Sequence, residues 1–510
     1  MAYQKAPVRS PTDSVQNWRR LHVATIAIEF LKVLRSILGL LAIILLTRSA
    51  GGREDASELP FVILGSLTVF GALAKYLTYS FAVSGGNLII RSGWLFRQNR
   101  TIPIDRIQNI GLKRGVVHRM LGVVDLEIET ASGRGAEATI SVLGIEEAER
   151  FRQELLGSDH RPTMPAPTGT KALVPERLTA GYSVYKAHLG ELMLAGATSN
   201  RAGAILAFFS SLIVIPGTVP ELRELHGRFL QVFGGGSGSE LTAYVSAALF
   251  LILGGWVIAI VQTVVQYYGF EIRQGDGKLY RKFGLLTTIE NVIPQRRIQM
   301  LRIRSPIVQR WLGYCSLDAS TAGTFAESEP GGRQALCPIV SIDDSREVSR
   351  RVLPGYDPSR VVWTPVHPAT VFLTGLRISI VLSVLMGLAV AYLSWSSYGF
   401  AAVVAVAFGV AYLQYRARAY STSPDFVVSR SGVLTQDTCV VPIKKIQHVL
   451  LTQSPAQRRW GLASIRVATA AEISGGHLEI VDIPLSDAEA LQTTLTDGAS
   501  AAGAWLPDGV

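Results

Sequence analysis

Cysteine is nearly absent: Cys315, Cys337 and Cys439 are the three in 510 residues, with no CxxC spacing and no histidine close by. That excludes a disulfide framework and a zinc site, and fits reduced thiols in a cytosolic setting. Charge is scarce too, at 17% of residues against 48% hydrophobic ones. This balance, with a positive mean hydropathy, points to a membrane protein with sizeable polar parts. Catalytic signatures are missing: there is no GxSxG, no HExxH, no P-loop and no GxGxxG between strand and helix. The eight histidines show no metal-ligand spacing. No catalytic residue, metal or cofactor is therefore expected. Acids number 39 against 49 lysines and arginines, a net charge of +10. In a membrane protein such an excess marks the cytoplasmic side, and no nucleic-acid partner is expected.

What is present is a repeat. Ile102-Pro103-Ile104-Asp105-Arg106-Ile107-Gln108 returns as Ile293-Pro294-Gln295-Arg296-Arg297-Ile298-Gln299 and as Val441-Pro442-Ile443-Lys444-Lys445-Ile446-Gln447. Gly93, Gly284 and Gly432 each stand ten residues before the proline. Arg119, Arg310 and Arg458 stand eleven after the glutamine, and Gly122, Gly313 and Gly461 fourteen after it. Such agreement makes the chain a triplicated module.

Six apolar segments alternate with the modules in three pairs: Val23–Thr47 and Leu59–Tyr79, Ala202–Val219 and Leu241–Tyr267, Ala369–Trp395 and Tyr398–Tyr415. Each approaches the roughly 20 residues a crossing needs, so six transmembrane helices in three hairpins are expected. The links within the pairs hold only Arg48, Arg53, Arg223 and Arg228 of the 49 basic residues. Under the positive-inside rule the modules and both termini are then cytoplasmic, in a multi-pass membrane protein. Glu29, Lys32, Arg35 and Lys75 lie near the cytoplasmic boundary and read as snorkelling side chains. The first stretch lacks a small-residue cleavage site and reads as an anchor, not a signal peptide. The expected division is a tail (1–20), hairpin (21–79), module (80–157), linker (158–187), hairpin (188–267), module (268–353), linker (354–366), hairpin (367–417), module (418–496) and tail (497–510).

Within the first module Val124, Leu126 and Ile128 alternate with Asp125, Glu127 and Glu129, the pattern of a half-buried strand. Leu317 and Ala319, then Ile465 and Val467, hold the same face in the other copies. Stretches 87–91, 94–102, 107–113 and 136–143 also read as strands, and each module closes on a helix. Ile145–Leu156 carries acids in its first turn, and Ser486-Asp487-Ala488-Glu489 reads as a capping box. Several antiparallel strands and one helix imply a small barrel or sandwich, so the fold class is an α+β membrane protein.

A β-module closed by a helix, preceded by a hairpin and carrying G…IPxxxIQ…RxxG, resembles the bacterial pleckstrin-homology-like (PH-like) membrane-flanked family in its three-copy, YdbT-like form. The resemblance covers nearly the whole chain. It implies three seven-stranded PH-like barrels in a bacterial plasma (inner) membrane, and a smaller single-module membrane protein of the same family as partner. It implies no defined biochemical activity. The third copy departs from the pattern at Val441 and at Trp460-Gly461, where the others have Ile and Leu-Gly, and the second has a Gly-rich insertion at 322–332.

Several residue sets are candidates for a role. Arg106, Arg296, Arg297, Lys444 and Lys445 precede the shared Ile-Gln, while Arg91, Lys282 and Arg430 sit two residues before the shared glycine. Cations held near an anionic leaflet each contribute about 1 kcal/mol of attraction, and the competing reading is solvated strand polarity. Arg97 and Arg100 are too thin a basic loop for phosphoinositide recognition, so diffuse attraction to anionic lipid, of low specificity, fits better. His22, His188 and His367 each open a run into a hairpin and read as interfacial anchors or helix caps, ahead of a proton or headgroup contact. Arg119, Arg310 and Arg458 are expected to donate to loop carbonyls, and Gln108, Gln299 and Gln447 to tie strand to loop. Three near-equal modules argue against a single active site. The expected function is non-enzymatic: binding or scaffolding of anionic lipid or a partner protein. The family associates such a role with envelope homeostasis or resistance to membrane-active peptides. The alternatives are a component of lipid or peptide export, which needs a polar cavity between helices, and a membrane enzyme acting on lipid, which needs clustered acids or histidines.

Overall fold

The computed structural model describes residues 18–31, 34, 71, 73–74, 76–93, 97–104, 107–130, 136–156, 182–198, 231–232, 240–321, 334–393, 399–470 and 477–501. The first module runs β1 (Arg19–Arg20), β2 (Ser80–Ser84), β3 (Asn87–Ser92), β4 (Gln98–Pro103), β5 (Ile107–Arg114), α1 (Val116–Met120), β6 (Val123–Thr130), β7 (Ala136–Gly144) and α2 (Ile145–Leu156). The second runs β8 (Tyr182–Lys186), α3 (Leu189–Ala197), α4 (Glu240–Tyr267), β9 (Glu271–Gly275), β10 (Lys278–Phe283), β11 (Thr288–Pro294), β12 (Ile298–Pro306), α5 (Ile307–Trp311), β13 (Tyr314–Thr321), β14 (Gln334–Ser341) and α6 (Ile342–Val352). The third runs β15 (Thr364–Pro365), α7 (Thr370–Leu393), α8 (Gly399–Ala417), β16 (Ala419–Thr422), β17 (Phe426–Ser431), β18 (Thr435–Pro442), β19 (Ile446–Thr452), α9 (Pro455–Arg459), β20 (Leu462–Thr469), β21 (His477–Pro484) and α10 (Leu485–Ala501). One order of strands, with a short helix before the sixth and a closing helix after the seventh, recurs in every copy.

The alternating strands pack as their patterns require. Val124, Leu126, Ile128, Leu317, Ile465 and Val467 are all 0% exposed. Each closing helix lays an apolar stripe over these strands, with Ala148 and Phe151, Val348 and Val352, and Leu491 and Leu495 facing inward. The last helix begins at Leu485, two residues before the Asp487 start that a Ser486 cap implied. Its Leu485 N–H donates to the Gly461 carbonyl at 2.9 Å, and Ser486 turns to Asp487 instead of capping.

Among the described residues no closed barrel forms, and the expected fold class is corrected on this point. The sheets are open and run from one module into the next, in the orders β1-β2-β3-β4, β7-β6-β5-β11-β10-β9-β8, β14-β13-β12-β18-β17-β16-β15 and β19-β20-β21. The chain passes from one sheet to the next between β4 and β5, and between their counterparts, at the IPxxxIQ corner. The last three strands of a module then take their edge partner from the following module. An edge of unpaired N–H and C=O groups accepts any strand of suitable length and register, and the next copy supplies one. The cores follow the sheets: Phe426, Val428 and Val440 of the third module lie in the second module's apolar cluster, and Met300 lies in the third's.

The six crossings are the second correction. Among the described residues one helix, Thr370–Leu388 within α7, is long and apolar enough to cross a membrane, while Ile252–Tyr267 and Ala402–Ala417 are shorter. A crossing needs roughly 20 apolar residues in one helix, and the apolar stretches of α4 and α8 that can be described are shorter than that. Segments 35–70 and 199–230, the 234–239 glycine loop, Lys32, Lys75 and the 322–332 insertion lie outside the described residues. Neither the expected count of spans nor the placement of both termini is supported. Helix pairing itself is close: a Cβ on Gly196 would lie 2.6 Å from Ile260 Cα of α4, and one on Gly375 2.8 Å from the Phe408 ring of α8. Glycine is what lets α3 meet α4 and α7 meet α8.

Candidate functional site

Each module has two chemically different ends, and the repeated residues build both. At one end lies the turn after the shared glycine. Gly284 and Gly432 have φ of +109° and +96°, and a Cβ there would sit 2.0 Å from the Thr287 or Thr435 carbonyl oxygen. No other residue fits this loop. The loop carbonyls are gripped by the shared arginine of the preceding module. Arg119 donates to Leu285 O at 2.5 Å and Leu286 O at 2.9 Å. Arg310 donates to Val433 O at 3.3 Å and to the Gln436 side chain at 3.4 Å. The expectation of carbonyl partners holds, and the structure adds that they belong to the neighbouring module. Arg458, the third copy, is exposed and has no such acceptor among the described residues.

The same end is where the helices meet the modules, and it is apolar. Leu285 N–H donates to Val265 O of α4 at 3.0 Å, and Phe372 of α7 lies 5.7 Å from the Trp460 ring. Around these entries stand Met120 (81% exposed), Trp311 (77%), Leu434 (72%) and Leu286 (55%). Sequence reasoning missed this feature. Its signal was the apolar residue or pair before each shared glycine: Met120-Leu121, Trp311-Leu312 and Trp460.

The other end is the IPxxxIQ corner, a 3-10 turn at Gln295–Arg297 and again at Ile443–Lys445. A proline at φ −65° enters each turn, and of the basic residues that follow, Arg296 and Lys444 are exposed while Arg297 and Lys445 are half-buried. The structure brings the two corners into one electrostatic neighbourhood. Lys445 is held below its usual pKa, first by burial and then by the like charges of Lys444 and Arg296. Arg297 is lowered by burial and then by Arg296. Among the described residues none of these four cations has a carboxylate partner. The remaining candidates are not part of this cluster. Lys282 pairs with Glu290 at 2.9 Å, Arg91 lies over the Trp18 ring at 4.0 Å, and Arg430 over Trp363 at 4.6 Å. Arg106 lies outside the described residues.

The three histidines turn out to organise helix starts. His22 Nδ1 accepts the Ala24 N–H at 3.2 Å, and His367 Nδ1 accepts the Ala369 N–H at 3.2 Å. Their own N–H groups donate to Val142 O and Asp482 O, both at 3.0 Å, which ties each helix entry to its module's last strand. Val142 and Asp482 accept from positive φ, +59° and +55°, in the bulged part of β7 and β21. His188 instead donates its N–H to the Glu191 carboxylate at 2.9 Å. The shared glutamines diverge: Gln299 is buried and donates to Arg297 O at 3.3 Å, whereas Gln447 is exposed.

The two ends are far apart. β19 carries seven residues from the Lys445 turn to the Trp460 end, about 23 Å at ~3.3 Å per residue.

A model of a family described as bacterial PH domain matches residues 19–158, 212–355 and 369–499. The chain is similar to the UPF0699 transmembrane protein YdbT of Bacillus subtilis (strain 168), at 22% identity over 445 residues, 84% of this chain and 87% of the relative. No solved structure matches it.

Proposed function

Because this chain belongs to the bacterial PH-domain family, its matched stretches exceeding half its length, we propose that it is a non-enzymatic, membrane-seated scaffold. Its modules rest their apolar ends on the bilayer and hold the basic corners in the aqueous phase for an acidic partner protein. The transmembrane relative and the apolar helix Thr370–Leu388 support a place in the membrane. One observation carries the rest: the exposed Trp, Leu and Met side chains gather where the helices enter, and the cations that have no carboxylate partner among the described residues gather at the opposite end. Tryptophan is favoured at the membrane interface.

Distance decides between lipid and protein as ligand of the basic corner. Charge interactions in water fade over about 8 Å at physiological salt. A corner about 23 Å from the apolar end, by the ~3.3 Å rise of a strand, feels little of the leaflet on which the module rests. A second reading, headgroup binding, finds its support at the apolar end instead, where Arg458 and Arg459 flank Trp460 and are exposed.

Titration of the full-length protein in zwitterionic micelles with polyglutamate tests both. Reversing Arg296, Arg297, Lys444 and Lys445 to Glu is expected to weaken polyglutamate binding at least tenfold. Affinity for micelles doped with phosphatidylglycerol should hardly change. If the reversal abolishes the phosphatidylglycerol response and spares polyglutamate, the corner serves lipid and the proposed orientation is wrong.

A further inference from the structure

Where the helices hand over to the strands, one position differs in kind between the copies. Fourteen residues before the shared glycine stand Tyr79, Phe270 and Arg418. Phe270 is 0% exposed inside its module's apolar cluster, and Tyr79 is buried in its own. Arg418 takes the place of those rings and is half-buried. Burial comes first among the influences on it and holds it below the usual arginine pKa; Asp482 and Glu479 act against this, and Arg377 adds to it. A charge taken out of water is costly unless an opposite charge meets it.

Among the described residues no carboxylate pairs with it. Arg418 Nη1 donates to Thr374 Oγ1 at 3.5 Å and Nη2 to Gln414 Oε1 at 3.2 Å, both neutral acceptors. Glu479 pairs instead with Arg466 at 3.7 Å, and Asp482 Oδ1 accepts from Gln457 Nε2 at 2.6 Å. Thr374, which receives Arg418, stands three residues before Arg377 on α7, so the two arginines lie side by side on one helix face. Arg377 follows the shared histidine by ten residues, and its counterparts are Lys32, outside the described residues, and Thr198. The Thr198 hydroxyl accepts from Gln309 at 2.8 Å. The second copy thus closes this corner with a hydroxyl and a ring, and the module fold does not require an arginine pair.

We propose that Arg377 and Arg418 together hold the phosphate of one anionic phospholipid at the module end of the α7–α8 pair. The inference rests on the membrane seat proposed above. Two neighbouring guanidinium groups offer a phosphodiester several N–H donors in planar arrays, and the phosphate offsets their mutual repulsion. The depth fits. Arg377 stands seven residues past Thr370, about 10 Å along the helix at ~1.5 Å per residue, and its long side chain reaches back to headgroup level. What lies beyond it on α7 favours a lipid over a free phosphate. Ile380, Val381 and Val384, three, four and seven residues further on, are exposed and give the acyl chains an apolar track. A net negative headgroup such as that of phosphatidylglycerol suits two cations, whereas the choline of phosphatidylcholine brings a third.

The test is native mass spectrometry of the delipidated full-length protein in zwitterionic micelles, titrated with phosphatidylglycerol or phosphatidylcholine. One phosphatidylglycerol per chain is expected to stay bound at concentrations where phosphatidylcholine does not. Arg377→Gln removes an exposed side chain that makes no hydrogen bond among the described residues. It should weaken phosphatidylglycerol binding at least tenfold and leave thermal unfolding in lipid-free micelles unchanged. Arg418→Phe, which restores the second copy's residue, should weaken binding to the same degree. Arg458→Gln removes an exposed charge beside Trp460 and should have little effect. Glycerophosphoglycerol, the same headgroup without acyl chains, should not displace the lipid. No retained phosphatidylglycerol, equal losses in Arg377→Gln and Arg458→Gln, or a loss confined to Arg458→Gln overturns the proposal. Displacement by glycerophosphoglycerol does so too, since the ligand would then be a soluble phosphate. A protein that stays monodisperse without detergent would instead remove the membrane seat itself.

Discussion

At the scale of single residues, the shared glycines and arginines explain why the motif is spelled as it is. Gly432 combines a φ of +96° with a carbonyl where a Cβ would go, whereas Gly461, at φ +61°, has open space around it. Gly432→Ala is thus expected to cost at least about 2 kcal/mol, since strain and overlap add. Gly461→Ala should cost about 1 kcal/mol from the left-handed backbone alone. Thermal unfolding of the two detergent-solubilised variants checks the order, and equal effects would mean the loop is softer than its geometry implies. Much of this level was legible in the sequence. The recurrence of Arg119, Arg310 and Arg458 ahead of a glycine, with five donors apiece, pointed to carbonyl acceptors. It could not say whose carbonyls, because three near-equal copies carry the same loop. The histidines were legible as caps for a similar reason: each stands where a helix begins. The basic residues were not separable by sequence. Only geometry distinguishes Lys282, neutralised by Glu290, from Lys445, pressed by Lys444 and Arg296.

At the scale of elements, alternation and the closing helix were readable and the sheet order was not. Period-2 burial fixes which face of β6, β13 or β20 turns inward, and that face is the same whether the edge partner belongs to the same module or the next. The choice rests on backbone groups at β5 and β12, which leave no trace in side-chain pattern. Arg310 tests the joint as an element. It holds the third module's loop at Val433 and Gln436, so Arg310→Ala is expected to remove about 1 kcal/mol of joint stability. The readout is faster hydrogen exchange along β18. Arg458→Ala, with no loop carbonyl acceptor among the described residues, should leave β18 exchange unchanged. Similar acceleration in both would detach the arginine from the joint. The helices teach the opposite lesson. Hydropathy marked six segments, yet among the described residues only Thr370–Leu388 is a helical stretch long and apolar enough to cross, with Ile252–Tyr267 and Ala402–Ala417 shorter.

At the scale of the molecule, the modules are links in one chain of sheets. That arrangement puts every helix entry and every exposed tryptophan described above on one side and the basic corners on the other. A scaffold of this kind has few ways to flex between modules, because bending at a joint breaks strand hydrogen bonds and, at the second joint, exposes cores that two modules share. Separate barrels on tethers would behave otherwise, moving independently and keeping their cores to themselves. The distinction rests on Ser305 standing opposite Gln436 across the second joint. In a full-length chain carrying Ser305→Cys and Gln436→Cys, mild oxidation is expected to close a disulfide within the single chain in nearly all molecules, at unchanged mass. Two thiols that stay free and alkylatable after oxidation would contradict the shared sheet, and with it the whole arrangement.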